Sequence, residues 1–195
     1  MAGVSTDSDI IRGAVERPAE FAQLYDRHAP AIQRFAARRA GSDAAEDLLS
    51  ETFTVAFERR GAYDFDRENA LPWLYGIVST LLKRHRRQEA RQWKSAQADP
   101  TSLVTEQSHD ALEAELTMRR LRNAMQRMPA RDRDALLLYA WADLDYEGVA
   151  LALNVPVGTV RSRLNRARRT LRAALGRDAA QEVDHGRADP ASIRP

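Results

Sequence analysis

Apolar residues along this chain recur at helical rather than strand spacing. In SDAAEDLLSETFTVAFERR, Ala45, Leu48, Leu49, Thr52, Phe53 and Ala56 fall on one face at about 100° per residue. Asp43, Asp47, Glu51, Thr54 and Glu58 make a narrow stripe on the opposite face. The spacing predicts a helix here, opened by a capping box of Asp43 and Glu46. The stripe has no Lys or Arg before Arg59, so it lacks the mixed i,i+4 pairs of a self-satisfied exposed face. Two readings fit it: the solvated side of a core helix, or a docking surface for a basic partner.

After the turn-like Tyr63–Asn69 comes LPWLYGIVSTLLKRHRRQEAR. Pro72 stands near the start of a second helix, where its missing N–H is harmless. Leu74, Ile77, Val78, Leu81 and Leu82 form its apolar face, and it runs on into a basic cluster. Trp73 and Tyr75 lie on the same helix. Aromatic rings beside arginines suit single-stranded nucleic acid, because bases stack on rings while cations follow phosphates; the other reading of Trp73, and the simpler one, is ordinary core.

The pattern from Leu144 to Arg169, LDYEGVALALNVPVGTVRSRLNRARR, is a helix-turn-helix. Asp145 caps a short helix over 146–153, Asn154 ends it in the left-handed conformation, Val155-Pro156 turns the chain, and a second helix starts near Val157. On that helix Val160, Leu164, Ala167 and Leu171 point inward. Ser162, Asn165, Arg166 and Arg169 face the other way, flanked by Arg161 and Arg163. Arginine can grip a guanine edge bidentately, asparagine can read adenine, and further arginines hold phosphates. The free N–H groups near Gly158-Thr159 favour another phosphate.

No stretch alternates as a strand would, so the expected fold is all-α: two small helical domains on a flexible acidic linker, the second containing the helix-turn-helix. Punctuation sets the boundaries at 1–18 (a disordered arm), 19–94, 95–111 (the linker), 112–176 and 177–195 (a disordered tail). The net charge is only +2, but its distribution is uneven. Lys83, Arg84, Arg86, Arg87, Arg91 and Lys94 crowd one helix end, arginines recur from Arg161 to Arg177, and the stretch 95–117 between them holds Asp99, Glu106, Asp110, Glu113 and Glu115 with no Lys or Arg. Segregation of this kind points to two anion-binding surfaces. The chain has no cysteine and 4 histidines without ligand-like spacing, which removes disulfide scaffolds, thiolate metal sites and cysteine nucleophiles. No metal, cofactor or catalytic centre is expected. With no membrane-length apolar run and no signal-like start, the expectation is a soluble, cytoplasmic protein.

Taken together these blocks resemble the bacterial sigma factors of the extracytoplasmic-function type, the compact members of the sigma-70 family with only regions two and four. VPVGTVRSRLNRARRTLRAAL is similar to the region-four helix-turn-helix, DAAEDLLSETFTVAFERR to the region-two polymerase-docking helix, and LPWLYGIVSTLLKRHRR to the promoter-melting helix. The resemblance spans about 20–176.

It implies a transcription initiation factor that binds core RNA polymerase, brings it to a two-element promoter and helps to separate the strands. The stripe of Asp43, Asp47, Glu51, Thr54 and Glu58 would dock on the basic clamp coiled coil of the polymerase. Phe65, Arg67 and Asn69 would belong to the loop that captures an unstacked minus-ten base, with Trp73, Lys83, Arg84, Arg86 and Arg87 along the DNA there. Thr159, Arg161, Ser162, Arg163, Asn165, Arg166 and Arg169 would read the minus-thirty-five element. Met118, Leu121, Met125 and Met128 would pack the first region-four helices or touch the polymerase flap. Promoter DNA and core polymerase are the implied partners and an anti-sigma factor a further candidate; the chain would be monomeric on polymerase. The chain departs from the family at Val78-Ser79-Thr80, where Ala-Arg-Asn is usual, at Arg84, where an acid is common, and at Gly148, Ala152 and Asn154 in the helix-turn-helix. The rival is a stand-alone helix-turn-helix regulator that binds duplex DNA without polymerase.

Overall fold

Three helices packed around Leu24, Ile32, Phe35, Leu49, Phe53, Leu74, Val78 and Leu82 make the main core. The computed structural model describes residues 5–95 and 109–176. Among them are eight α-helices and no strand: α1 (Asp7–Glu16), α2 (Ala22–Ala40), α3 (Ser42–Glu58), α4 (Leu71–Ser95), α5 (His109–Arg127), α6 (Ala130–Trp141), α7 (Tyr146–Leu153) and α8 (Val157–Leu175). By contacts the chain divides into one unit of Met1–Pro100 with Leu137–Arg161 and another of Thr101–Leu136 with Ser162–Pro195.

In the first unit α2, α3 and α4 pack on one another. Every residue assigned above to the apolar face of α3 is buried, including Thr52, whose hydroxyl donates to the Leu48 carbonyl at 2.6 Å. Aromatic edges join the helices: Phe35 meets Tyr75 with ring centroids 5.1 Å apart, and Tyr25 meets Phe53 at 4.8 Å. The expected capping box does not form. Gly41, at φ 86°, turns the chain so sharply out of α2 that α3 starts at Ser42. Asp43 therefore lies inside the first turn, where its charge favours the helix dipole instead of capping it.

The stretch read as a disordered arm is corrected by α1. Thr6 accepts from the Asp9 N–H at 3.2 Å and the Asp9 carboxylate accepts from the Thr6 N–H at 3.1 Å, a complete capping box. Ile10, Ile11 and Ala14 are buried, and a helix this short persists only because that face is covered. At its far end the Arg60 Nε donates to the Ala14 carbonyl at 3.0 Å while its guanidinium lies 4.0 Å over the Phe57 ring.

Asp7 is the buried node of this unit, only 3% exposed. Its carboxylate pairs with the Arg27 guanidinium, with His28 Nε2 at 2.7 Å and with the Ala70 N–H at 2.8 Å. Burial by itself would raise its pKa, but the bonds to His28, Ala70 and Arg27 outweigh that and hold it below the ordinary aspartate value. A depressed folded value stabilises the fold above the unfolded pKa and is lost as pH falls through the folded one. Acid unfolding followed by circular dichroism should therefore show stability declining from the ordinary aspartate range downward, and Asp7→Asn should flatten that decline. An identical acid slope in both proteins would show that Asp7 is not the group responsible.

Helix α7 packs on α4. A Cβ placed on Gly76 would lie 2.9 Å from the Ala152 carbonyl oxygen, so the approach requires glycine on α4. In the helix-turn-helix Asp145 accepts from the Gly148 N–H at 2.7 Å, Asn154 is left-handed at φ 50°, and Thr159 N–H donates to the Pro156 carbonyl at 2.9 Å. A Cβ on Gly148 would crowd the Asp145 carboxylate at 3.1 Å and Leu144 at 3.3 Å, which accounts for the small residue there.

In the second unit α5 and α8 line a groove of about 670 Å³ bordered by Arg120, Arg127 and Arg169. Arg133 Nη1 donates to the Met125 carbonyl at 3.2 Å, closing the end of α5. Leu164 and Ala167 are fully buried, as is Val160 on the first turn of α8. Met128 is buried whereas Met118 is 57% exposed. Residues 1–4, most of the expected linker (96–108) and the expected tail (177–195) lie outside the described residues.

Candidate functional site

Helix α3 presents Asp43, Asp47, Thr54 and Glu58 to solvent. The Thr54 hydroxyl is turned onto the Ser50 carbonyl at 2.9 Å, so it adds shape to the stripe more than hydrogen bonding. Glu51 differs from its neighbours: Arg84 of α4 donates to it at 2.5 Å. The two close one side of a shallow pocket of about 200 Å³ with Asp47, Leu81, His85 and Gln88. The stripe therefore does have a basic partner, supplied by α4. Local spacing could not reveal it, because the two residues meet only when α4 packs on α3.

The segment before α4 is built around Tyr63. Its ring is buried, its hydroxyl donates to the Arg67 carbonyl at 2.7 Å, and it stands against Phe65 at 5.8 Å and Trp73 at 5.1 Å between centroids. Burial, reinforced by the charges of Asp7 and Asp64 against an opposing Arg67, pushes the Tyr63 phenol up to about 12. Phe65 is half-buried, with the Arg12 guanidinium 5.2 Å from its ring centre. Arg67 is exposed and pairs with Asp64 at 2.7 Å. Asn69 is exposed too, but its side-chain oxygen accepts from the Leu71 N–H at 2.9 Å, so it helps to start α4. Trp73 is half-buried, which leaves part of its ring within reach of a stacked base.

Along α4, Lys83 and Arg87 are exposed and Arg86 is partly so, while Arg84 turns back to Glu51. Of the departing Val78-Ser79-Thr80, Val78 and Ser79 are buried and only Thr80 is exposed. The unusual residues are therefore mostly core, and the chemistry available to DNA at that turn is a threonine hydroxyl bonded to the Gly76 carbonyl at 3.0 Å.

On α8, Arg161, Ser162, Asn165 and Arg169 are exposed, and Thr159 and Arg163 are partly covered. Arg166, also exposed, has a partner within the protein that its place on α8 did not suggest. Its Nε and Nη2 both bond Asp132 of α6, at 3.0 and 2.9 Å. Asp132 is 5% exposed while the Arg166 side chain is 49% exposed, so one edge of the guanidinium is engaged by α6 and the rest faces solvent. The Asp132 hydrogen bond, and after it the charge of Asp132, raises the guanidinium pKa against the opposing effect of burial. Asp7, Ser8 and Arg12 were missed by the sequence reading. The signal was there, in Thr6 and Asp9 three apart followed by the apolar Ile10, Ile11 and Ala14.

Among the described residues no helix is long and apolar enough to cross a membrane, and no cluster of three or more His, Cys, Asp or Glu could hold a metal ion.

Two family profiles match the chain: Sigma-70 region 2 over residues 24–92 and Sigma-70, region 4 over residues 118–171. The chain is 31% identical over 154 residues to the ECF RNA polymerase sigma factor EcfG of Rhodopseudomonas palustris, covering 78% of this chain and 83% of the relative. It is 31% identical over 161 residues to the RNA polymerase sigma factor CarQ of Myxococcus xanthus, covering 80% and 89%. In fold it is similar to CnrH, solved in complex with the cytosolic domain of CnrY, with a TM-score of 0.60 at 22% identity over 88% of this chain and 98% of that one. The sigma factor RpoE of Bartonella quintana, solved with the anti-sigma factor NepR, gives a TM-score of 0.57 at 24% identity, over 80% and 97%.

Proposed function

We infer from the family to which this chain belongs, the extracytoplasmic-function (ECF) RNA polymerase sigma factors, that it binds core RNA polymerase and directs promoter recognition, DNA melting and transcription initiation. The observation that carries this is the presence of both sigma-70 regions in order on one chain, region 2 over 24–92 and region 4 over 118–171. A stand-alone helix-turn-helix regulator has no use for the first.

The assignment of roles to residues is part of the proposal. Residues 19–94 act as the region-two module and 112–176 as the region-four module. The exposed acids Asp43, Asp47 and Glu58, with Thr54 and the Arg84-paired Glu51, dock on the basic clamp coiled coil. Opposite charges across such an interface speed encounter and fix register. The loop of Phe65, Arg67 and Asn69 takes an unstacked minus-ten base, with Trp73 beside it and Lys83, Arg86 and Arg87 along the backbone. Trapping a flipped base offsets the few kcal/mol that unstacking costs. Arg161, Ser162 and Asn165 carry minus-thirty-five recognition, Arg169 holds a phosphate beside them, Thr159 and Arg163 flank them, and Arg166 ties the reading helix to α6. The α5–α8 groove and Met118 are available to the polymerase flap. The chain performs no catalysis of its own, since polymerase supplies the chemistry; it acts in the cytoplasm as a monomer on polymerase, with an anti-sigma factor as its candidate regulator.

The test is run-off transcription of fragmented host DNA by bacterial core polymerase with and without the purified protein. Specific start sites are expected only when both are present, and their alignment yields the promoter elements. Tight duplex binding without polymerase, together with no start sites, would overturn the proposal in favour of the stand-alone regulator.

A further inference from the structure

We propose that the first two turns of α1 are a positioning element for the minus-ten loop, with Ser8 and Arg12 setting the shape in which Phe65 to Asn69 receives an unstacked base. The inference rests on the loop assignment above and goes beyond it, because these residues lie outside the stretch matched to sigma region 2, which begins at residue 24.

Residues 64–70 contain little regular structure of their own, and their internal ties are local ones made by Asp64 and Asn69. Their conformation is held from outside. The buried Ser8 hydroxyl donates to the Phe65 carbonyl at 2.7 Å, and the Asp7 N–H donates to the Glu68 carbonyl at 3.1 Å. The Ala70 N–H donates to the Asp7 carboxylate at 2.8 Å. Three backbone groups of the loop are thus tied to two consecutive residues at the start of one helix. The first N–H groups of a helix lack partners within it, and here one of them is used to fix a loop carbonyl. Arg12, one turn along, lies 5.2 Å from the Phe65 ring centre on a ring that Tyr63 meets edge-on. The ring thus already carries a cation–π partner, and its orientation is set by α1 and Tyr63 together.

A positioned loop discriminates bases because a misplaced base loses its contacts, whereas a loosened one accepts several bases less well. Ser8 and Arg12 are therefore positioning residues, and their loss should change preference at the captured base more than total activity. The measurement is open-complex yield, by permanganate reactivity, of holoenzyme on the duplex promoter recovered from run-off mapping. It is repeated on derivatives with each minus-ten base replaced in turn. The captured position is the one where the wild-type ratio of yields is largest.

Ser8→Ala and Arg12→Ala should each lower that ratio by about two- to tenfold, the range expected for one hydrogen bond or similar contact. Ratios at the minus-thirty-five positions should stay unchanged. A purely structural role would lower yield on all templates alike and leave the ratio intact, which would overturn the inference. Arg12 is exposed, so its variant keeps the test valid if Ser8→Ala impairs folding. Phe65→Ala is run beside them. If it lowers the ratio while Ser8→Ala and Arg12→Ala do not, the positioning role fails and the loop assignment stands; if Phe65→Ala leaves the ratio unchanged, the loop assignment fails and this inference with it.

Discussion

Reversing two charges on α3, Asp47→Arg together with Glu51→Arg, is expected to abolish binding to core RNA polymerase while helical content is retained. Asp47 is exposed and Glu51 partly so, and neither contributes to the core beneath. The internal cost is the loss of the Glu51–Arg84 pair and a new like-charge contact in its place. At an exposed site such pairs are worth about 0–1 kcal/mol. The external cost is larger. Removing one partner of a desolvated interfacial charge pair costs about 2–5 kcal/mol, and reversal replaces attraction by repulsion. Two such changes should weaken Kd by about a thousandfold or more, at roughly tenfold per 1.4 kcal/mol. The measurement is titration of labelled protein with core polymerase, with a circular dichroism melt as the control. An unchanged Kd would remove the docking assignment. Arg84→Ala is the informative companion, because it releases Glu51 without altering the stripe and should leave binding as strong or stronger.

Removing two of the proposed base readers from α8, Arg161→Ala with Asn165→Ala, is expected to erase most discrimination at the minus-thirty-five element. A bidentate side-chain contact distinguishes the right base from the wrong one by about 1–3 kcal/mol, and separate positions add roughly. The pair together should therefore account for about 2–6 kcal/mol of preference. Holoenzyme affinity for the correct element and for single-base variants measures it. Equal loss on every sequence would mean that both residues hold only phosphates, which is the behaviour expected of Arg169→Ala. Arg166→Ala should behave differently from all three. It leaves Asp132 buried without its cation, so it should lower the melting temperature of the protein first, with DNA binding weakened as a consequence.

The contrast between Arg161 and Arg166 shows where sequence reading stops. Both are arginines on the polar side of one amphipathic helix, five residues apart, and periodicity assigns them the same job. Asp132 is 34 residues away from Arg166 in the chain, and no local pattern announces that α6 will bring a buried carboxylate beneath it. The same holds for Glu51, which belongs to an unpaired acidic stripe when α3 is read by itself and to an ion pair once Arg84 of α4 lies across it. In α1 the signal was local and present, but the segment was too short and too polar for periodicity to outweigh its place at the chain's start. Its stability comes from the burial of Ile10, Ile11 and Ala14 and from the ties of Asp7 to Arg27, His28 and Ala70, which are brought together only by folding.

What the amino-acid sequence determined by itself was whatever depends on neighbours within a few residues. The buried face of α3, the cap at Asp145, the left-handed turn at Asn154 and the start of α8 at Val157 all follow from side-chain spacing and backbone preference. Caps, turns and backbone preferences are local free energies that act before any tertiary contact exists, and the apolar spacing sets which face of α3 a neighbour can cover. The tertiary structure decided how the charged residues are shared out. Each arginine or aspartate is indifferent along its own helix, and its partner is chosen by which helices pack together and by the cost of leaving a charge buried and unpaired. For that reason Asp7 became a buried node, Arg84 turned to Glu51 and Arg166 turned to Asp132, while Asp47 and Arg161 remained exposed at the surface.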